Sequence, residues 1–308
     1  FHKFWHQYHK EILNLSISDE ICEKVADILH DVYIRTKGKA FEEIYETNNL
    51  KKEEICRIRL LTANQDFRGS RKFKEFANIF LDDPTIFDEY SIVDNPEDFV
   101  KSLGVTSLSQ SDKRIQYAKR ISQFLIEHNS QPYNIIKCFD NNVISLRNAM
   151  ISYEGAGYGN KKTDMFIRDM IVLRVWENVT GFDSIDVASD VNTIKIALRT
   201  GILKSEIPLV SSFLDIFCYQ YSRSEEYSYV DEMNAKAWRR VWEIWNEKYP
   251  NETVSSPCLL DYFIYNVVGK QFCKNSLHLF ECEQGHSFYW HSLRNTTCQV
   301  CYKKTGKR

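Results

Sequence analysis

The chain has 308 residues, 43% of them hydrophobic and 14% aromatic, enough for one large or two medium cores. Its 11 glycines and 6 prolines are few for that length, which weighs against a β-rich or disordered chain. The formal charge of −2, from 40 basic and 42 acidic residues, excludes a general polyanion binder but allows a local basic face. No apolar run approaches the roughly 20 residues that span a bilayer, so no membrane partner is expected.

No charged-then-apolar leader follows Phe1, and no secretory signal is expected. From 19 to 35, Ile21, Val25, Ile28, Leu29 and Val32 recur at helical spacing. Similar patterns predict helices over 53–63, 71–81, 113–127, 142–152, 161–178, 191–200 and 232–247. Turn signals separate them at Asp83-Pro84, Asn95-Pro96, Gln131-Pro132 and Tyr249-Pro250. Strand-like alternation is scarce before residue 277, so the body reads as all-α. Residues 51–74 carry a basic run, Lys51, Lys52, Arg57, Arg59, Arg68, Arg71, Lys72 and Lys74, which solvated helix faces suffice to explain.

Between two of these helices lies Gly155-Ala156-Gly157-Tyr158-Gly159. Three glycines in five residues permit a tight bend with positive φ and a close approach of backbone to another molecule. The amides opening the next helix are unpaired and lie at its positive dipole end, a setting that suits phosphate. Lys161 falls in that first turn beside Lys162; the dipole and the neighbouring cation both favour the neutral amine that a nucleophilic lysine needs. Further on, Asp190 precedes the pattern Val191-Asn192-Thr193-Ile194-Lys195-Ile196, the normal setting of an N-cap. In the helix starting at 164, Asp164 and Arg168 stand at i, i+4 and are expected to pair. Trp176, Trp238, Trp242 and Trp245 are expected in the core rather than around a base.

The run Gly157-Tyr158-Gly159-Asn160-Lys161 through Met170 resembles the helix-hairpin-helix of the DNA glycosylase superfamily, whose pattern is Gly-x-Gly-x-Lys-Thr-Ala-Asp before an apolar helix. Asp190 to Ile196 is similar to that family's second signature, and Leu60-Leu61-Thr62-Ala63-Asn64-Gln65 to its Leu-Leu-Ser-Ala-Gln segment. The three stand in the family's order and place the likeness over roughly residues 50–275. The resemblance implies Lys161 as Schiff-base lysine, with Lys162 in place of the usual Thr as a one-residue alternative, and Asp190 as catalytic carboxylate. It also implies that Gly157, Gly159 and Lys162 contact a DNA phosphate, while Asn64 or Gln65 fills the space left by an extruded base. The usual His two residues after the aspartate is Asn192 here, and the Lys161-to-Asp190 interval is longer than in endonuclease III-like members, closer to the archaeal 8-oxoguanine glycosylase branch.

What the likeness implies is a DNA glycosylase and AP lyase acting on double-stranded DNA that holds a damaged or modified base, such as an oxidised purine. An ionised Asp190 would stabilise charge on the sugar and Lys161 would attack it, giving an imine that permits strand cleavage. Two other readings stand beside it: a glycosylase for a bulky or hypermodified base in foreign DNA, and a non-catalytic DNA-binding adaptor. The expected location is the cytoplasm with the nucleoid in a prokaryote, or the nucleus in a eukaryote, and the expected state is a monomer.

Nine cysteines are too scattered for a disulfide framework. Cys22, Cys56, Cys138 and Cys218 are expected as reduced core residues, while the other five crowd into 258–301. Cys298-Gln299-Val300-Cys301 supplies two thiolates, and Cys282 with either Cys273 or His286 completes a tetrahedral zinc set. The Cys-x-x-Gly-His spacing favours His286. Cys273 resembles the first thiolate of an iron–sulfur loop, but the remaining spacings do not fit one, so zinc is preferred. The fold expected is a two-domain helical glycosylase with a small C-terminal zinc-finger-like module. Its parts are N-terminal helices 1–59 packing with a helical domain 190–272, a barrel-like domain 60–189 ending in the hairpin 142–178, and the module 273–308.

Overall fold

The computed structural model describes residues 2–42, 44–47, 50–67, 71–105, 110–206, 225–273, 278–281 and 287–290. It is mostly helical, as the periodicity predicts. In chain order the helices are α1 (His2–Leu13), α2 (Asp19–Thr36), α3 (Lys39–Glu42), α4 (Lys52–Thr62), α5 (Phe73–Asp82), α6 (Glu89–Asp94), α7 (Pro96–Ser102), α8 (Ser111–Glu127), α9 (Val143–Ser152), α10 (Asn160–Val172), α11 (Val191–Thr200) and α12 (Glu225–Lys248). Tighter turns at Ala63–Gln65 and Pro132–Phe139 lie between them, and after α12 a single helical turn, Leu260–Tyr262, runs into the wider turns of Phe263–Cys273. The short strands β1 (Ser16–Ile17) and β2 (Leu203–Lys204) pair antiparallel, as do β3 (His278–Glu281) and β4 (Ser287–Trp290). Among the described residues no helix is long and apolar enough to cross a membrane.

The chain divides into two compact units, one of residues 1–29, 189–247 and 260–308, the other of 30–188 and 248–259. The second is built around α4. Its Ile58, Leu60 and Leu61 are fully buried, and each such side chain contributes roughly 1.5–3 kcal/mol by leaving water. Around it lie an edge-to-face chain of Phe80, Phe87 and Phe99 and the apolar stripe Ala118, Ile121, Phe124 and Leu125 of α8. α4 opens with the Glu54 carboxylate accepting from the Lys51 amide at 2.7 Å, and α5 repeats the device with Glu75 and Lys72 at 2.8 Å. In the first unit, α12 buries Val230, Asn234, Ala237, Trp238, Val241 and Trp245, while α2 contributes Cys22, Ala26 and Leu29. There the Arg240 guanidinium holds both Asp19 oxygens at 3.0 Å.

Several expectations change. The unit boundary falls at 29/30 rather than 59/60, and 248–259 joins the hairpin's unit. The helix predicted over 161–178 ends at Val172, where Leu173 closes the last turn and Arg174 takes a left-handed φ of 54°. Asp164 does not pair with Arg168: it turns to Arg147 on α9, and Arg168 bonds Asp169. Cys22 and Cys56 are buried, free thiols, whereas Cys138 is exposed. The turn Pro132–Phe139 spends its inward positions on Ile135 and Ile136 and leaves Cys138 outside. Cys218 lies outside the described residues.

Candidate active site

α9 runs from an Asn142 N-cap, whose side chain accepts from the Ser145 amide at 2.9 Å, to Ser152. α10 starts at Asn160, and the glycine segment bends the chain between them. Gly155 and Gly157 hold φ of 79° and 74°, conformations L side chains rarely adopt. At 157 a Cβ would also stand 2.6 Å from the Tyr117 ring. Gly159 differs: its φ is −93° and nothing lies within 4 Å of where a Cβ would be. No internal packing demands glycine there, and the position is exposed.

Asn64 and Gln65, expected to face DNA, are 1% and 0% exposed and serve the scaffold instead. The Asn64 amide donates to the carbonyls of Tyr117 at 3.1 Å and Ala156 at 3.0 Å, fastening the bend from within. Gln65 donates to the Arg114 carbonyl at 3.1 Å, and Arg114 returns two bonds of 2.7 Å to the Gln65 and Phe67 carbonyls. The Arg114 guanidinium also lies 4.0 Å over the Phe67 ring. α4 tightens into a 3-10 turn at Ala63–Gln65, and that turn carries both amides inward.

The two lysines at the head of α10 occupy different surroundings. Lys161 is exposed. Lys162 is half-buried, donates to the Asp66 carbonyl and has its amine 3.8 Å from the Asp66 carboxylate. Burial draws its ammonium down to about 8; Asp66 opposes the fall, and Lys161, Arg59 and Arg114 add to it. Deeper in α10, the buried Asp169 carboxylate accepts from Arg59 at 2.7 Å, Arg168 at 2.7 Å and Tyr45 at 3.1 Å. Three donors on one carboxylate tie α4 to α10. Tyr158, from the bend, donates its phenol to the Leu60 carbonyl, and burial pushes that phenol well up.

Arg147 and Asp164 clasp the two helices together. Nε to Oδ1 is 2.5 Å and Nη2 to Oδ2 is 3.1 Å, with Arg147 also donating to Asn160 Oδ1 at 3.1 Å. Burial raises the Asp164 carboxyl to about 6, against the pull of Arg147 and with a small push from Asp186. Sequence reasoning missed this pair; the nearest signal was the odd placement of an Arg and an Asp on two otherwise apolar helix faces.

Asp190, in the other unit, is the N-cap of α11. Its Oδ1 accepts from the Asn192 amide at 2.8 Å and the Thr193 amide at 2.9 Å, which is the capping role its sequence position predicts. The Asn192 side chain, standing where the resemblance has His, reaches Asp190 Oδ2 at 3.5 Å.

Of the metal candidates, Cys282, His286, Cys298 and Cys301 and the side chain of Cys273 lie outside the described residues. Cys258 is buried, with its thiol donating to the Asp164 carbonyl at 3.7 Å. Among the described residues, no three His, Cys, Asp or Glu side chains converge as a metal requires. No protein-family model matches the sequence, and no curated protein matches it.

Proposed function

We propose that the chain is a DNA glycosylase with AP-lyase activity that acts on a damaged or modified base, an oxidised purine such as 8-oxoguanine, and works where the DNA is. The observation that carries this reading is the head of α10. An exposed glycine with open space at its Cβ position is followed, after Asn160, by the exposed Lys161 and the half-buried Lys162. Backbone amides at a helix start, with room for a phosphate oxygen, suit the DNA strand. A lysine beside them suits attack on the deoxyribose.

In the reaction the target nucleotide leaves the stack, at a cost of a few kcal/mol. The glycosidic bond breaks with its electron pair going to the base, and the ionised carboxylate assigned to Asp190 on the resemblance stabilises the positive sugar. The neutral amine adds to C1′ and becomes an imine as the ring opens. A proton is then lost from C2′ and the C3′–O bond breaks, which nicks the strand 3′ to the lesion. Register with the family pattern assigns the amine to Lys161. The second reading is Lys162, favoured by one observation: burial holds its amine down to about 8, so it is partly neutral at physiological pH. The soft donors of the C-terminal segment, four cysteines and a histidine, fit tetrahedral Zn²⁺, which would fold that segment and take no part in the chemistry.

Borohydride trapping on a duplex with a preformed abasic site tests the assignment. Wild type is expected to give a covalent adduct, and Lys161→Gln to lose it while still binding the duplex. Trapping that survives in Lys161→Gln and vanishes in Lys162→Gln moves the nucleophile by one residue. A wild-type chain that binds DNA and never traps sinks the lyase reading.

A further inference from the structure

We propose that Asn234 is a positioning residue for Asp190, an inference that rests on the carboxylate role given to Asp190 above. Asn234 lies on the buried face of α12 and is 0% exposed, among Val230, Ala237, Trp238 and Val241. One amide hydrogen goes to Ser189 Oγ at 2.7 Å and the other to Thr193 Oγ1 at 3.0 Å, so the amide grips the residues on both sides of Asp190. Thr193 passes the restraint on. Its hydroxyl donates to the Asp190 carbonyl at 3.0 Å and accepts from the Asp190 amide at 2.9 Å, so that both backbone groups of Asp190 are held. The Thr193 amide then bonds the Asp190 carboxylate at 2.9 Å. Trp238, one turn along α12, donates to the Thr193 carbonyl at 3.4 Å and closes the far side.

The asparagine is a poor choice for stability alone. Its Oδ1 is buried and accepts no hydrogen bond. A carbonyl oxygen desolvated in that way is destabilising, and an apolar side chain of the same shape would avoid the loss. A leucine would also continue the apolar stripe of Val230, Ala237 and Val241. What asparagine supplies and leucine does not is the pair of donors flanking Asp190. A carboxylate that must stabilise charge appearing on one sugar atom needs its orientation fixed beforehand, because small misplacements lose rate steeply.

The test uses the full chain, with Asn234→Leu, Thr193→Val and Thr193→Ser compared with wild type and Asp190→Asn. Three quantities are read: single-turnover base release from an 8-oxoguanine·cytosine duplex, borohydride trapping on a preformed abasic duplex, and melting temperature. Asn234→Leu and Thr193→Val are expected to lose base release by about tenfold or more. Both should keep trapping, and Asn234→Leu an undiminished melting temperature; Thr193→Val, which leaves the Asp190 amide without its acceptor, should melt lower, and Thr193→Ser, which retains the hydroxyl, restores release. Base release by Asn234→Leu at the wild-type rate overturns the proposal. So does a loss in which release, trapping and melting temperature fall together, the mark of a merely structural residue. If wild type itself releases no base, the glycosylase reading fails for this probe, and amide hydrogen exchange decides the positioning separately. Asn234→Leu should then speed exchange of the 190–193 amides, and unchanged exchange overturns the proposal.

Discussion

Gly157 and Gly159 read alike in the sequence and differ in the fold. An alanine at 157 must adopt a left-handed φ and displace the Tyr117 ring from 2.6 Å, which together should cost about 2 kcal/mol or more. An alanine at 159 meets nothing within 4 Å at a φ of −93°. Gly157→Ala is therefore expected to lower the melting temperature by several degrees. Gly159→Ala should leave it unchanged but weaken binding of an abasic duplex, since its methyl would stand where a phosphate approaches. Fluorescence anisotropy and thermal melts check the pair, and equal DNA binding by Gly159→Ala would remove the backbone contact at the bend. The glycines were legible as a bend; which of them serves the fold and which the outside was not. That distinction depends on where the Tyr117 ring falls, and no local spacing encodes it. Asn64 and Gln65 show the same limit: the resemblance assigns them to the DNA, and only the carbonyls that α8 and the bend present to them place them inside.

For the α9–α10 pair, the decisive contact is the Arg147–Asp164 clasp, with side chains 22% and 4% exposed. Asp164 titrates at about 6 in the fold, above the 3.8 of an exposed aspartate. The folded state thus binds the extra proton between roughly those two values, and Asp164 contributes less to stability as pH rises through that window. Arg147→Met would leave a buried carboxylate without its guanidinium. The expected loss is about 3–5 kcal/mol at pH 8, where the carboxyl is charged, and distinctly less at pH 5, where it is largely neutral. Urea unfolding at the two pH values measures it; equal losses would show that the ion pair is not what holds the hairpin. Both helices were legible from periodicity, yet the i, i+4 rule gave Asp164 the wrong partner. That rule describes solvated faces, and both residues here are buried, so packing across the bend decides. α6 and α7 were missed because six or seven residues carry too little periodicity. Their signals were the Asp88 side chain accepting from Ser91 and the proline opening α7.

Across the whole molecule, helical class was legible and the division into units was not. α2 keeps its amphipathic pattern through residue 30, where the unit changes, so no composition shift marks the boundary. The cysteine distribution carries the remaining expectation at this scale. Elemental analysis should find one zinc per chain, and Cys298→Ser with Cys301→Ser should remove it along with thermal stability. A chain that purifies with no zinc and folds equally in chelator would end the zinc assignment.

The Asn64 amide secures the bend through the Ala156 carbonyl, on the inward side, while Gly159 looks outward with empty space before it. Shape and recognition at this loop are therefore entrusted to different atoms. A lineage, or an engineer, could retune what the rim accepts without rebuilding the support behind it.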